Sequence, residues 1–431
     1  MAKNAKPERE RPERERPERE GPDREGSEPK VAVVLSGAGA RGAFQAGALA
    51  ELVPALERQG LRPTIWLGTS AGSINAALWG SLAHHSSEVA AEEVLDLWRR
   101  MSHEDVYEPL PLSFPITVAQ YAAGALLCLG TGTTSLLDTT PLRVTAEQEL
   151  HPQQLAANVE AGRLDAVGVV ATRMPTDADN TVPGAASGRS VLFLHEHCAG
   201  TYAGDRDRAL DVVRTPVDDV HVVASSAIPV AFPPVEVTEP EEAAGWYVDG
   251  GVRLNTPLHP AVGLGATKIV VVSATSTTYS APPLPTTPGS TPDVADAAAQ
   301  VLNAALGDRT TEDLLQLRRR NSLVEQVSRK GVELVSSSQR VYKAIDVMEV
   351  SPPPGEMGRI AADLYARETR GLGKITEMDN WLIGQAIRGA GDGVGRRELL
   401  SYLFFDEEYF AAGIELGRRT ATEALARGWE R

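Results

Sequence analysis

Two short apolar runs, each feeding a glycine-bearing turn and then a helical pattern, fall within about 55 residues of one another and constrain the fold more than any other feature of the chain. The first is Val31-Ala32-Val33-Val34-Leu35, an unbroken stretch that suits a strand buried on both faces. It enters Ser36-Gly37-Ala38-Gly39-Ala40-Arg41-Gly42. Ala43 to Arg58 then places Leu49, Leu52, Val53 and Leu56 at helical spacing, with Gly60 as a stop signal. The second strand, Thr64 to Leu67, runs into Gly68-Thr69-Ser70-Ala71-Gly72 and a helix of small residues from about Ala71 to Ala83. Apolar runs at Ala166 to Ala171, Val191 to Leu194, Trp246 to Val248 and Ile269 to Val272 supply further strands, with helices between some of them. This alternation predicts a doubly wound α/β sheet with a mainly parallel core.

The remainder of the chain divides by composition. Prolines recur at Pro7, Pro12, Pro17 and Pro22 among charges, and residues 1–30 carry nine Lys/Arg and nine Asp/Glu with almost nothing apolar, so a disordered tail is expected there. The net charge of -16 therefore belongs to the folded body, which argues against nucleic acid as a partner. Residues 31–275 form the expected catalytic unit, residues 276–296 a Ser/Thr/Pro-rich linker or loop, and residues 297–431 a mainly helical C-terminal region. In that region Thr310 to Val327 and Leu399 to Arg427 read as amphipathic helices. Arg340 to Val350 reads as a strand before the Pro352-Pro353-Pro354 break. Ile116 to Leu129 is apolar but too short for the roughly 18 to 20 residues of a membrane span. It reads as a buried helix, with a flap that touches lipid as the alternative. Cys128 and Cys198 are too few for a disulfide framework and read as small core residues. With no apolar leader, a cytoplasmic protein is expected, peripheral at the membrane where its substrate requires it.

Three turns carry the chemistry. Gly68-x-Ser70-x-Gly72 sits between a strand and a helix, where a sharp bend can hold a serine hydroxyl at the edge of the sheet. The glycines remove side chains that would collide there. The helix that follows directs its positive end toward charge developing on Ser70. Gly37-x-Gly39-x-x-Gly42 has the form of a dinucleotide turn, yet the acidic residue expected about twenty positions on is missing, because Glu57 lies within the helix. Its amides can instead hold the oxygen anion of a tetrahedral ester intermediate. Arg41 either fixes this loop or adds positive potential. The third turn is Trp246-Tyr247-Val248-Asp249-Gly250-Gly251, a strand delivering an aspartate into a glycine turn.

In this order the turns resemble those of the patatin-like phospholipase family. The resemblance rests on VLSGAGARGAF, GTSAGSINAAL, ASSAIPVAFPPV and VDGGVRLNTPLHPAVGLGA, covering roughly Val31 to Ala274. It implies a three-layer α/β/α fold with a mainly parallel central sheet, and an acyl hydrolase of phospholipids or related lipid esters that needs no cofactor and no metal. It further implies that Ser70 is the nucleophile, that Asp249 is its base without a histidine, and that the turn from Gly37 through Ala38, Gly39, Ala40 and Arg41 to Gly42 forms the oxyanion hole. Many members open that turn with Asp-Gly-Gly-Gly, where this chain has Ser36 and Ala38. Backbone donors do the work and alanine is small, so a functioning hole is expected.

The residues alone leave alternatives. A Ser-His-Asp triad would recruit His221, His259 or another histidine, but in that fold the nucleophile follows several strands, whereas Ser70 follows the second. His195-Glu196-His197 lacks the spacing of a zinc site. A different class of reading is a lipid-binding or scaffolding protein that keeps the fold without turnover.

Overall fold

The computed structural model describes residues 29–107, 135, 137–176, 188–200, 202–229, 231–277, 309–335, 341–370 and 394–431. The charged tail up to residue 28, the run Ile116 to Leu129 with Cys128, and all but the first two residues of the 276–296 segment lie outside the described residues.

Nine strands make one mixed, mostly parallel sheet. They are β1 (Val31–Leu35), β2 (Pro63–Thr69), β3 (Ala166–Arg173), β4 (Arg189–Glu196), β5 (Leu210–Arg214), β6 (Val235–Val237), β7 (Gly245–Asp249), β8 (Lys268–Val272) and β9 (Asp346–Val350). The main path runs β5-β4-β3-β2-β1-β8-β9, with β7 on β3 and β6 on β7. The helices are α1 (Gly42–Arg58), α2 (Ala71–Ser81), α3 (Ser87–Arg100), α4 (Thr140–Glu149), α5 (Pro152–Glu160), α6 (Asp219–Ser225), α7 (Leu258–Gly263), α8 (Arg309–Ser328), α9 (Glu356–Arg370), α10 (Val394–Leu403) and α11 (Glu407–Arg427).

Alternation along the strands divides the core into two layers. Val33, Leu35, Trp66, Val169, Phe193, Val270 and Val350 face one cluster, shared with side chains of α1, α2, α3, α6 and α11. Ala32, Val34, Ile65, Leu67, Leu192, Val271 and Val347 face the other, covered by Leu258 and Ala261 of α7 and Leu314 and Leu317 of α8. Apolar side chains on both faces explain why the central strands read as unbroken hydrophobic runs. The result is the expected three-layer α/β/α arrangement.

Three details depart from the sequence reading. β4 runs antiparallel to β3, and the short strands β5 and β6 escape detection because only part of each is buried. The segment Leu399 to Arg427 is two helices, broken where the Asp406 carboxylate accepts the Tyr409 amide (2.9 Å) and caps α11. Cys198 lies in the turn after β4 and is exposed, so it is no core residue.

The C-terminal elements are built into the same core. β9 pairs with β8 in parallel from Lys268–Asp346 to Val272–Val350, and α11 lies along α1. Its close approach to α1 uses glycines: a Cβ on Gly417 would overlap the Phe44 carbonyl, and one on Gly47 the Ile414 carbonyl.

Candidate active site

The site forms at the carboxyl ends of adjacent parallel strands, where the order of the sheet reverses around β1 and open α/β sheets place their ligands. Leu35 of β1 is in register with Gly68 of β2, so the turns that follow the two strands lie side by side. Two interlocked glycines allow that contact: a Cβ on Gly68 would overlap the Gly72 carbonyl, and one on Gly72 would lie 2.5 Å from the Ser36 oxygen.

Ser70 occupies the bend between β2 and α2 with φ 55° and ψ -132°, a strained conformation for a residue with a side chain. The bend is held on all sides. The Ser70 amide donates to Ser225 Oγ (2.8 Å), whose hydroxyl donates to the Val170 carbonyl (2.5 Å). The Ser70 carbonyl accepts from the Ser73 hydroxyl (2.6 Å) and the Ser73 amide (2.7 Å). Over-determination of this kind keeps a strained residue in place.

Strand β3 brings Asp249 to the serine. One of its edges is paired with β4 along its full length, from Ala166–Glu196 to Arg173–Arg189. The opposite edge is shared: β2 occupies it as far as Thr69, opposite Val170, and β7 arrives antiparallel and ends with Asp249 opposite Ala171. The two strands therefore meet end to end, and residues 179 positions apart become neighbours. Gly250 permits the turn, since a Cβ there would overlap the Val170 carbonyl.

The Ser70 side chain lies beside the Asp249 carboxylate and favours its anion, and the carboxylate accepts the Gly251 amide (2.7 Å). Burial pushes the Asp249 pKa up from 3.8 to about 6, and the Ser70 side chain and the Gly251 amide hold it from rising further. The carboxylate is thus more basic than an exposed aspartate yet ionised at neutral pH.

The turn after β1 lies against the serine, with the Cα of Gly37 facing the Ser70 side chain. Sequence reasoning places donors around Gly37, Ala38 and Gly39; the Gly37 amide is instead given to Asn255, by its side-chain oxygen (3.0 Å) and its carbonyl (3.1 Å). Among the described residues no acceptor takes the amides of Ala38, Gly39 or Ala40. Gly39 supplies the left-handed φ of +53° that the turn requires. Beneath the turn runs a satisfied polar chain. Trp98 Nε1 donates to Asn75 Oδ1 (2.8 Å), Asn75 donates to Gln45 Oε1 (3.3 Å), and Gln45 donates to the carbonyls of Ser36 (2.8 Å) and Val272 (3.1 Å).

Arg41 does not face the site. Its guanidinium is buried and fixes the loop, the first of the two roles open from sequence. Asn255 and Ser225 are supports that sequence reading passed over, although both stand within the quoted stretches VDGGVRLNTPLHP and ASSAIPVAFPPV.

The histidines lie elsewhere. His221 accepts the Asp218 amide (3.1 Å) and packs at a tilt on Phe193, and His259 sits 3.6 Å from Asp205. Among the described residues neither hydrogen-bonds to Ser70 or Asp249. Among those residues no cluster of metal-ligating side chains occurs, and no helix is long and apolar enough to cross a membrane.

Residues 33–262 match the family model described as patatin-like phospholipase, more than half of the chain. No curated protein sequence matches it. The matched span contains all three turns, and the chain belongs to the patatin-like phospholipase family, whose general activity is lipid acyl hydrolysis.

Proposed function

We propose that the protein hydrolyses carboxylic ester bonds of phospholipids or related lipids, with Ser70 as nucleophile and Asp249 as its base. The observation that carries this reading is a buried carboxylate of raised basicity set beside Ser70 where β2 and β7 meet on β3. As Ser70 Oγ attacks the ester carbonyl, its proton passes to Asp249 and the carbonyl oxygen becomes an anion. The amides of Ala38 and Gly39 receive that oxygen, each well-placed donor contributing roughly 3 to 4 kcal/mol. Ejection of the alcohol takes the proton from Asp249 and leaves an acyl-serine. Water then attacks the acyl carbon while Asp249 accepts its proton, and the fatty acid departs as the proton returns to Ser70.

The positive end of α2 favours negative charge at the same place. No cofactor takes part in this cycle. A Ser-His-Asp arrangement is disfavoured by the contacts of His221 and His259, which lie with Phe193, Asp218 and Asp205.

The test is fluorophosphonate labelling of the full chain together with lipid hydrolysis profiling, beside Ser70→Ala. Labelling of wild type, fatty acid release from a lipid ester, and loss of both in Ser70→Ala are expected. A folded wild type that neither labels nor releases fatty acid would favour a lipid-binding protein without turnover.

A further inference from the structure

The loop assigned to anion stabilisation is finished by residues far outside the family-matched span. Arg41, at the end of the turn, is almost wholly buried and directs every donor it uses toward the C-terminal half of the chain. Its Nε donates to Ser401 Oγ (2.9 Å), Nη1 to the Ala274 carbonyl (3.2 Å) and Nη2 to the Glu398 carbonyl (3.1 Å). Nη2 also pairs with the Glu398 carboxylate and reaches Ser401 Oγ. The guanidinium lies over the Tyr402 ring at 4.0 Å. Gly39 completes the contact, since a Cβ there would lie 2.5 Å from the Tyr402 carbonyl. The Ser401 carbonyl is in turn held by the Tyr409 hydroxyl (3.0 Å), which ties α10 to α11.

We infer that Glu398 and Ser401 are positioning residues for the reaction: through Arg41 they hold the turn from Ala38 to Gly42 so that its unpaired amides face Ser70. The physical reason is one of tolerance. Three successive amides with no acceptor among the described residues would relax toward internal partners or water unless the chain on either side were clamped. One side is clamped by Asn255 on Gly37, and the other by the guanidinium. A buried arginine with its fork and its aromatic face both engaged is a rigid clamp. Displacement of such donors by about 1 Å costs on the order of a hundredfold in rate.

This inference rests on the hydrolase reading above, and the experiment separates the two. Wild type, Glu398→Gln, Ser401→Ala and the double variant Glu398→Ala/Ser401→Ala are titrated with a fluorophosphonate, and turnover of a short-chain p-nitrophenyl ester is expressed per labelled site across pH. The double variant is expected to lose about tenfold to a hundredfold in kcat at unchanged KM and unchanged pH midpoint. Glu398→Gln, which keeps an acceptor for Arg41, is expected to stay within about threefold of wild type. A role in folding alone would lower the number of labelled sites and leave turnover per site as it was. Per-site turnover of the double variant within about twofold of wild type overturns the positioning role. Should the double variant fail to fold, Ser401→Ala carries the test, with a loss of about threefold or more expected and wild-type turnover overturning the inference. A wild type that neither labels nor turns over overturns the hydrolase reading itself.

Discussion

In the proposed mechanism Asp249 trades stability for chemistry. An ordinary aspartate is ionised well below neutral pH; this one is pushed up to about 6 by burial, against the Ser70 side chain and the Gly251 amide, which favour its anion. The unfolded chain then releases the proton near 3.8 and the folded chain near about 6. Between those values the folded state binds the extra proton, so stability falls as pH rises through that window and levels off above it. The gap corresponds to a destabilisation on the order of 3 kcal/mol at neutral pH. Asp249→Asn is therefore expected to melt a few degrees higher than wild type at pH 7 while losing about a hundredfold to ten-thousandfold in kcat. Thermal melting and ester turnover check both halves. For the wild type, kcat/KM is expected to climb about tenfold per pH unit below about 6 and reach a plateau above it, because the base must be ionised. A profile with a midpoint near that of histidine that disappears in a histidine variant would return the role to an imidazole. The three glycine turns were legible because each follows a local pattern, a strand running into a sharp turn. Asn255 was not, since nothing around it indicates that its side chain reaches back 218 positions to the Gly37 amide.

At the scale of elements, β3 and the α1–α11 pair decide the most. Strand β3 offers one edge to two strands of opposite direction, and the proposed catalytic pair sits where they meet. The alternating and unbroken apolar runs identified most strands, but not which neighbour each would choose. Pairing is selected by the burial of faces, and short strands such as Val235–Val237 carry too few residues to signal it. The α1–α11 contact depends on close backbone approach. Gly417→Ala and Gly47→Ala would each drive a methyl into a carbonyl of the facing helix and are expected to destabilise by about 1 to 3 kcal/mol in chemical denaturation. Gly413→Ala meets its nearest neighbour at 3.5 Å, an ordinary contact, and removes a flexible residue from a helix. It is expected to be neutral or stabilising by up to about 1 kcal/mol. Equal losses at Gly413 and Gly417 would mean that the helices do not pack with this rotation.

For the molecule as a whole, the boundary of the family match is not a boundary of the fold. Residues 33–262 match the family, yet β9 pairs with β8, α8 covers the lower face of the sheet, and α11 covers α1. Truncation after Thr277 would leave β8 as a bare edge and uncover Trp98 and Tyr107, buried side chains that pack edge-on against Phe410 and Phe405 in the whole chain. Such a fragment is expected to aggregate or to lose cooperative melting, and a soluble fragment with a sharp transition would refute this account of the core. Composition and periodicity were enough to set the α/β class and the places of the three glycine turns, because local hydrophobicity and glycine geometry are properties of short stretches. The end-to-end meeting of β2 and β7, the clamp of Arg41 by Glu398 and Ser401, and the joining of the C-terminal helices to the sheet belong to the tertiary structure alone. Each depends on contacts between segments 78 to 373 positions apart, and long-range pairing follows from packing of the entire chain, which no short stretch encodes.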